Sequence, residues 1–324
     1  MNKDRKDDII LKLNEQDIVP SERIGQHILI DEKILNIVAG QIDNGSNVLE
    51  VGSGPGNLTE IIASKANKVV GIEIDQRYQP FLEKVQQSHP NVEIIYRNVM
   101  DVNFRKIIKN DSKHREWQLA SNLPFHISEP FLKKIIDAPF KDCTLLVGDQ
   151  LARSLQIENP ENIEFTKSSL LAQTFYDVSV LSEVPKNMFY PPPRTDAAIV
   201  LLYPKQNDKY DTNPSRVILR NLFLSEDNNS TVIKIIKEST YFGSNQSMSR
   251  TENNRAERRR SNQELRQMVR KMQYNQTEFY EKGGGKEVEK LKLPIEILNK
   301  PFSRFDNQDI RSLAIAMRNR YGKL

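Results

Sequence analysis

The stretch from Val48 to Thr59 constrains the chain more than any other. A short apolar segment, Val48-Leu49-Glu50-Val51, runs into Gly52-Ser53-Gly54-Pro55-Gly56 and leaves through Asn57-Leu58-Thr59. A strand that enters a glycine-rich turn and emerges as a helix opens an α/β unit, and glycines at 52, 54 and 56 let the backbone approach a ligand where a Cβ would collide. Taken alone, such a turn holds a dinucleotide phosphate, holds a nucleoside, or merely ends a strand. Two details count against a diphosphate: the third glycine arrives one residue too early for Gly-x-Gly-x-x-Gly, and Pro55 lacks an N–H. Glu50 adds negative charge beside the turn, which suits a positively charged ligand better. Further on, Glu73 stands at the carboxyl end of the next apolar run, Val69 to Ile74, where an acid can accept both hydroxyls of a ribose. The plain alternative for Glu73 is a solvated strand-end charge.

Around this turn, short apolar runs alternate with amphipathic stretches from Ser46 to Tyr203, the pattern of a parallel sheet covered by helices. Strands are predicted at 47–51, 68–74, 91–96, 117–121, 143–147, 177–184 and 197–203, and helices near 31–42, 58–65, 80–88, 129–137 and 167–174. The fold class is α/β, a doubly wound seven-stranded sheet, with a smaller C-terminal helical domain. The boundary is placed at Pro204, giving domains 1–204 and 205–324, the second containing helical segments at 214–224, 231–238 and 307–321. Residues 244–290 are polar, carry Gly283-Gly284-Gly285, and read as a long charged helix followed by a loop.

Charge is divided unevenly between the two parts. Residues 1–204 hold 23 Lys and Arg against 28 Asp and Glu, whereas residues 205–324 hold 24 against 15, so the surplus faces a polyanion from the C-terminal part. Its densest stretch, Arg250 to Lys271, has eight basic residues against three acids, with Arg255, Arg258, Arg259 and Arg260 as candidate phosphate contacts and a salt-bridged solvated helix as the alternative. Cys143 is the only cysteine, so no internal disulfide or cysteine-based metal site forms. His27, His89, His114 and His126 lack metal-ligand spacing and read as surface or capping residues; no metal is expected. The charged N-terminus has no apolar signal segment and no run is long enough to span a bilayer, which predicts a cytoplasmic protein without membrane contact.

Two further motifs complete the set: Ser121-Asn122-Leu123-Pro124-Phe125 after the fourth strand, and Phe189-Tyr190-Pro191-Pro192-Pro193-Arg194 before the last. Together with Gln26-His27-Ile28-Leu29-Ile30-Asp31, the Gly52 turn and Glu73, in this order, they resemble the ribosomal RNA adenine dimethyltransferase family over residues 20–204. The proline-rich stretch is more similar to the small-subunit branch than to the macrolide-resistance branch.

That resemblance implies a Rossmann-like class I methyltransferase sheet, S-adenosylmethionine as cofactor, and adenine N6 of ribosomal RNA, in immature small subunits, as the methyl acceptor. It implies cofactor contacts at Gln26, Ile28, Gly52, Gly54, Glu73, Ile74, Asn98, Val99 and Asn122, with Asn122, Leu123, Pro124, Phe125 and Phe189 at the reacting centre and Arg194 on the RNA. An adenine amine is a poor nucleophile because its lone pair is delocalised into the ring. The Asn122 side-chain oxygen and a neighbouring backbone carbonyl can accept its two hydrogens and free the lone pair, while Phe125 stacks on the extruded base with Phe189 opposite. Two departures stand out: Asn98 occupies a position where the family usually carries Asp, and Ser154 one where Arg is common. They leave two other readings open, a non-catalytic RNA-binding assembly or transcription factor on the same fold, and a large-subunit methylase of the resistance type. A monomer is expected.

Overall fold

The computed structural model describes residues 3–109, 116–205, 213–246 and 285–322. Two compact units emerge, one of residues 1–157 and 175–205, the other of residues 158–174 and 206–324.

Among the described residues, the first unit is built on nine strands: β1 (Ile28–Leu29), β2 (Asn47–Val51), β3 (Lys68–Glu73), β4 (Val92–Tyr96), β5 (Trp117–Asn122), β6 (Cys143–Gly148), β7 (Tyr176–Val184), β8 (Phe189–Tyr190) and β9 (Ala197–Pro204). Seven of them form one sheet in the order β4-β3-β2-β5-β6-β9-β7, each within a residue of its sequence-based limits. The pairings β4·β3, β3·β2, β2·β5 and β5·β6 are parallel. The parallel expectation stops there, because β9 runs antiparallel to both β6 and β7. The segment joining β7 to β9 holds a 3₁₀ turn and β8 but no helix that could carry the chain back across the sheet, so β9 returns beside β7 in the opposite sense. The remaining strands, β1 and β8, pair with each other as a separate antiparallel ladder.

Central strands of a sheet covered on both faces read as unbroken apolar runs, and every residue of β2 is buried. Helices α2 (Glu32–Gly40) and α3 (Asn57–Ala63) bring Leu35, Val38, Leu58 and Ile62 against Val48, Val69, Ala120 and Ile199. Asp31 starts α2 by accepting a hydrogen bond from the Ile34 amide at 3.1 Å, satisfying a donor the helix cannot. Helix α1 (Lys3–Glu15), which the sequence pattern does not announce, buries Ile9 and Leu13 against Tyr78 and Leu82 of the turn and helix α4 (Gln79–Ser88) that follow β3. Its apolar stripe is two residues wide in a mostly charged segment, too narrow to register as periodic. Helices α5 (Phe104–Lys109) and α7 (Asp149–Gln156) are likewise additional to the expected set, whereas α6 (Ser128–Ile135) and α8 (Lys167–Phe175) match the predicted positions.

The second unit departs from the boundary at Pro204, because residues 158–174 cluster with it. Polar contacts tie this excursion in place: the Lys167 ammonium donates to the Phe302 carbonyl at 3.0 Å and Arg311 to the Ile163 carbonyl at 2.9 Å. Helices α9 (Pro214–Leu224) and α10 (Val232–Gln246) and the helix Asn307–Tyr321 supply its core, among them Ile218, Leu222, Val232, Ile236, Leu313 and Met317. The basic run with Arg255, Arg258, Arg259 and Arg260, and the helix and loop expected around it, lie outside the described residues. Among the described residues no helix is long and apolar enough to cross a membrane.

The helix Asn307–Tyr321 opens on a reciprocal cap. The Asp306 carboxylate accepts from the amides of Gln308 and Asp309, both at 2.9 Å, and Asp309 accepts from the Asp306 amide at 3.1 Å. Replacing Asp306 by Ala is expected to fray the start of this helix, because the amides of Gln308 and Asp309 lose their acceptor. Hydrogen–deuterium exchange should then show faster exchange along the first turns of this helix, with the seven-stranded sheet unaffected.

Candidate active site

In-register pairing assembles the site. Val51 of β2 sits opposite Ile72 of β3 on one side and Ser121 of β5 on the other, so the residues that follow, Gly52, Glu73 and Asn122, emerge side by side at the carboxyl rim of the sheet. Gly52 has φ of 78°, and a Cβ there would stand 3.3 Å from the Asn122 carbonyl oxygen, so only glycine lets the two loops approach this closely. They open onto one cavity of about 210 Å³, and all nine residues assigned to the cofactor from sequence line it: Gln26, Ile28, Gly52, Gly54, Glu73, Ile74, Asn98, Val99 and Asn122.

Two buried carboxyls sit beneath and beside the turn. Glu73, 5% exposed, accepts from the Gly54 amide through one oxygen and from the Asp75 amide through the other, each at 2.8 Å, so it braces the glycine turn as well as facing the cavity. Burial pushes its pKa above the ordinary carboxylate value, with these backbone donors pulling the other way. Glu50 is more deeply enclosed. One of its oxygens accepts from the hydroxyls of Thr59 at 2.6 Å and Ser53 at 2.9 Å, while the other has no partner. Burial raises this carboxyl to about 7 against the pull of those two hydroxyls.

Residues 24–29 form a strap that walls one side of the cavity. The Asn122 carboxamide donates through Nδ2 to the His27 carbonyl at 2.8 Å. Since a carbonyl can only accept, the amide's NH₂ faces the strap and its oxygen is left for something else. The His27 ring donates from Nδ1 to the Pro191 carbonyl at 2.8 Å, and Asn57 Nδ2 donates to the Leu29 carbonyl at 3.1 Å. Gly25, at φ of 70°, presses so closely on the next loop that a Cβ would lie 2.9 Å from Pro124 Cβ. Gln26 lines the cavity, yet both ends of its amide are engaged: Nε2 donates to Asp75 at 2.7 Å and Oε1 accepts from the Ser21 amide at 2.7 Å.

Other assigned residues fall differently. Pro124 lines the cavity, whereas Leu123 is buried beneath it at 1% exposure. Phe125 is half-buried, its ring against Gly148 at the end of β6 and 6.2 Å from the His27 ring. Phe189 is 2% exposed and belongs to the core through its β8 pairing with Leu29. The Asn98 side-chain oxygen accepts from the Met100 amide at 2.9 Å. Arg194 is exposed on the stretch leading to β9. His27 and His126, read from sequence as surface or capping residues, line the cavity, while His89 does end α4. Tyr78 and Arg97, which no sequence motif singles out, also stand in the cavity wall; the Tyr78 hydroxyl is buried without a partner, and burial raises its pKa. No spacing rule points to a tyrosine that reaches the cavity from the turn after β3. Among the described residues no group of three or more His, Cys, Asp or Glu could hold a metal.

The Glu50 carboxyl makes a pH prediction. Between its ordinary value of 4.5 and about 7 the folded protein keeps a proton that the unfolded chain has released, so this group lowers stability as pH rises through that window. The loss is on the order of 3 kcal/mol by pH 8. Glu50→Gln should therefore flatten the fall in melting temperature between pH 5 and pH 8, seen by scanning calorimetry; an unchanged slope would place the titration elsewhere.

Comparison with known proteins agrees with this architecture. A family model for "Ribosomal RNA adenine dimethylase" matches residues 21–273. The probable ribosomal RNA small subunit methyltransferase A of Pyrococcus abyssi is 31% identical over 238 residues, covering 73% of this chain and 82% of that protein. Its counterpart from Alkaliphilus oremlandii is 31% identical over 209 residues, covering 63% of this chain and 71% of that one. The crystal structure of a dimethyladenosine transferase from Plasmodium falciparum shares the fold, with a TM-score of 0.55 and 22% identity over 92% of this chain and 99% of that one. With the matched span running from the strap through the whole seven-stranded sheet, the chain belongs to the ribosomal RNA adenine dimethylase family.

Proposed function

We propose that this chain transfers methyl groups from S-adenosylmethionine to adenine N6 of ribosomal RNA, making dimethyladenosine in the small subunit during its maturation. The observation that carries the reading is that Gly52 and Asn122 share one cavity, with the Asn122 amide nitrogen already committed to the His27 carbonyl. S-adenosylmethionine, when bound, supplies an electrophilic methyl on a sulfonium. The residues present fit such a group. The buried Glu73 carboxylate is placed to accept ribose hydroxyls, Ile28, Ile74 and Val99 offer apolar surface to the purine, and the glycine turn with Glu50 beneath it suits a cationic centre. Asn98 is the assigned partner of the cofactor's base, through an oxygen that it shares with the Met100 amide.

The acceptor side follows from the direction of the Asn122 amide. With Nδ2 donating to the strap, Oδ1 is the group that accepts one hydrogen of the adenine amine, and the Leu123 carbonyl accepts the other. Both bonds strengthen as the nitrogen becomes tetrahedral and positive, so they favour the transition state over the ground state. Phe125 stacks on the base, which must leave its helix or come from a single strand to reach the rim. Phe189, enclosed in the core, supports the wall beneath rather than offering a second face. The unit of residues 1–157 and 175–205 is the methyltransferase domain in this reading. The C-terminal part of the monomer docks RNA through Arg255, Arg258, Arg259 and Arg260, with Arg194 as a further RNA contact.

The test supplies methyl-labelled cofactor and immature small subunits and maps the label. Two adjacent modified adenosines are expected, and cofactor binding without transfer would instead favour a non-catalytic assembly factor. Asn122→Ala should lower transfer by roughly a hundredfold or more while leaving the melting temperature near that of the unaltered chain; undiminished turnover would sink the proposed mechanism. Replacing Arg258, Arg259 and Arg260 together should make RNA affinity less steeply dependent on salt, by about 0.7 to 0.9 in log–log slope for each phosphate that is no longer neutralised.

A further inference from the structure

The strap over the cavity is fastened at a point that touches neither ligand. Arg77 lies in the 3₁₀ turn Gln76–Tyr78 after β3, and Asp75 caps that turn by accepting from the Arg77 amide at 3.0 Å. The guanidinium grips the same carboxylate from its side chain, with Nε at 3.0 Å from one oxygen and Nη2 at 2.6 Å from the other. Burial alone would raise the Asp75 carboxyl, but the bonds from Arg77 and Gln26 outweigh it and hold it below the ordinary value. From this anchor the grip extends to the strap: Asp75 accepts from Gln26 Nε2 at 2.7 Å, while Arg77 reaches the Val19 carbonyl at 3.2 Å and Gln26 Oε1 at 3.4 Å. Neither Asp75 nor Arg77 lines the cavity.

One residue beyond Gln26 comes His27, whose carbonyl fixes the Asn122 amide. The chain from Gln26 to His27 thus joins two functions, closing the wall beside the turn that binds cofactor and setting the amide that receives the acceptor amine. We propose that Asp75 and Arg77 are positioning residues for methyl transfer, acting through Gln26 and the strap to hold the cavity closed and the Asn122 carboxamide in its productive orientation. This rests on the functional reading above. A fork-shaped guanidinium suits the task, since one group spans a carboxylate, a backbone carbonyl and a side-chain amide at once. With the latch released, the strap is tethered through β1·β8 and the Asn57 and His27 contacts, so the fold survives while the Gln26 end lifts.

The test uses the full chain and three variants, Arg77→Ala, Arg77→Lys and Asp75→Asn. Dissociation of radiolabelled S-adenosylhomocysteine is followed by filter binding, and kcat and KM are measured with immature small subunits. Arg77→Ala and Asp75→Asn are expected to release S-adenosylhomocysteine roughly tenfold faster and to show a kcat roughly tenfold lower, with KM for the subunit unchanged. Arg77→Lys should fall between, because an ammonium keeps the charge beside Asp75 but not the fork. A merely structural role would lower the melting temperature without dividing kcat from KM in this way. Unaltered release and kcat in Arg77→Ala would overturn the latch while leaving the functional reading intact. If the unaltered chain neither bound S-adenosylhomocysteine nor transferred methyl, the functional reading would fail and this inference with it.

Discussion

Parallel pairing of β2 with β3 and β5, without a slip in register, is what the cavity depends on. A shift of one residue in either ladder would turn alternate side chains to the opposite face and move one of the three rim residues away from the other two. The register is secured from below. Val48, Val51, Val69, Ile72 and Leu119 are each 2% exposed or less, so a slip would force side chains that are already enclosed to repack. Burial energy spread over the sheet is thereby converted into the placement of a few atoms at its edge, where open α/β sheets hold their ligands.

The same arrangement explains why carboxyls can be tolerated deep in this part of the molecule. Glu73 is met by one backbone donor from the glycine turn and one from Asp75 just after β3, and Glu50 by two hydroxyls from the turn and from α3. Each carboxyl organises a loop that a run of glycines would otherwise leave loosely defined, since glycine surrenders more backbone freedom on folding than other residues. Stability and ligand contact are therefore not separable properties of this rim. The strap repeats the principle from the other side, with the amides of Gln26, Asn57 and Asn122 each holding a contact between segments distant in sequence.

Much of this was legible in the sequence, and the reasons are local. The seven strands could be read because central strands are uninterrupted apolar runs bounded by turn residues, and the cavity lining because the glycine turn, Glu73 and Asn98 follow consecutive strand ends. What escaped depends on contacts between distant segments. The antiparallel course of β9 is decided by a connection without a helix, and the placement of residues 158–174 by carbonyls of Phe302 and Ile163 that no pattern anticipates. The enclosure of Phe189 follows from its pairing with Leu29, and the cavity-facing roles of His27 and Tyr78 from the strap and from α1 closing over the turn after β3. Motifs identify which residues gather; which end of an amide faces inward is a property of the assembled chain.

The double duty of Glu73 has a consequence for how this family's chemistry can be dissected. Because each of its oxygens steadies a backbone amide, exchanging it for a neutral or shorter side chain would deform the loop even in a protein that had never met a nucleoside. Under the proposed function, weakened binding in such a variant measures architecture and recognition together. Separating them calls for altering the ligand instead, by comparing nucleosides that keep or lack a ribose hydroxyl against an untouched protein.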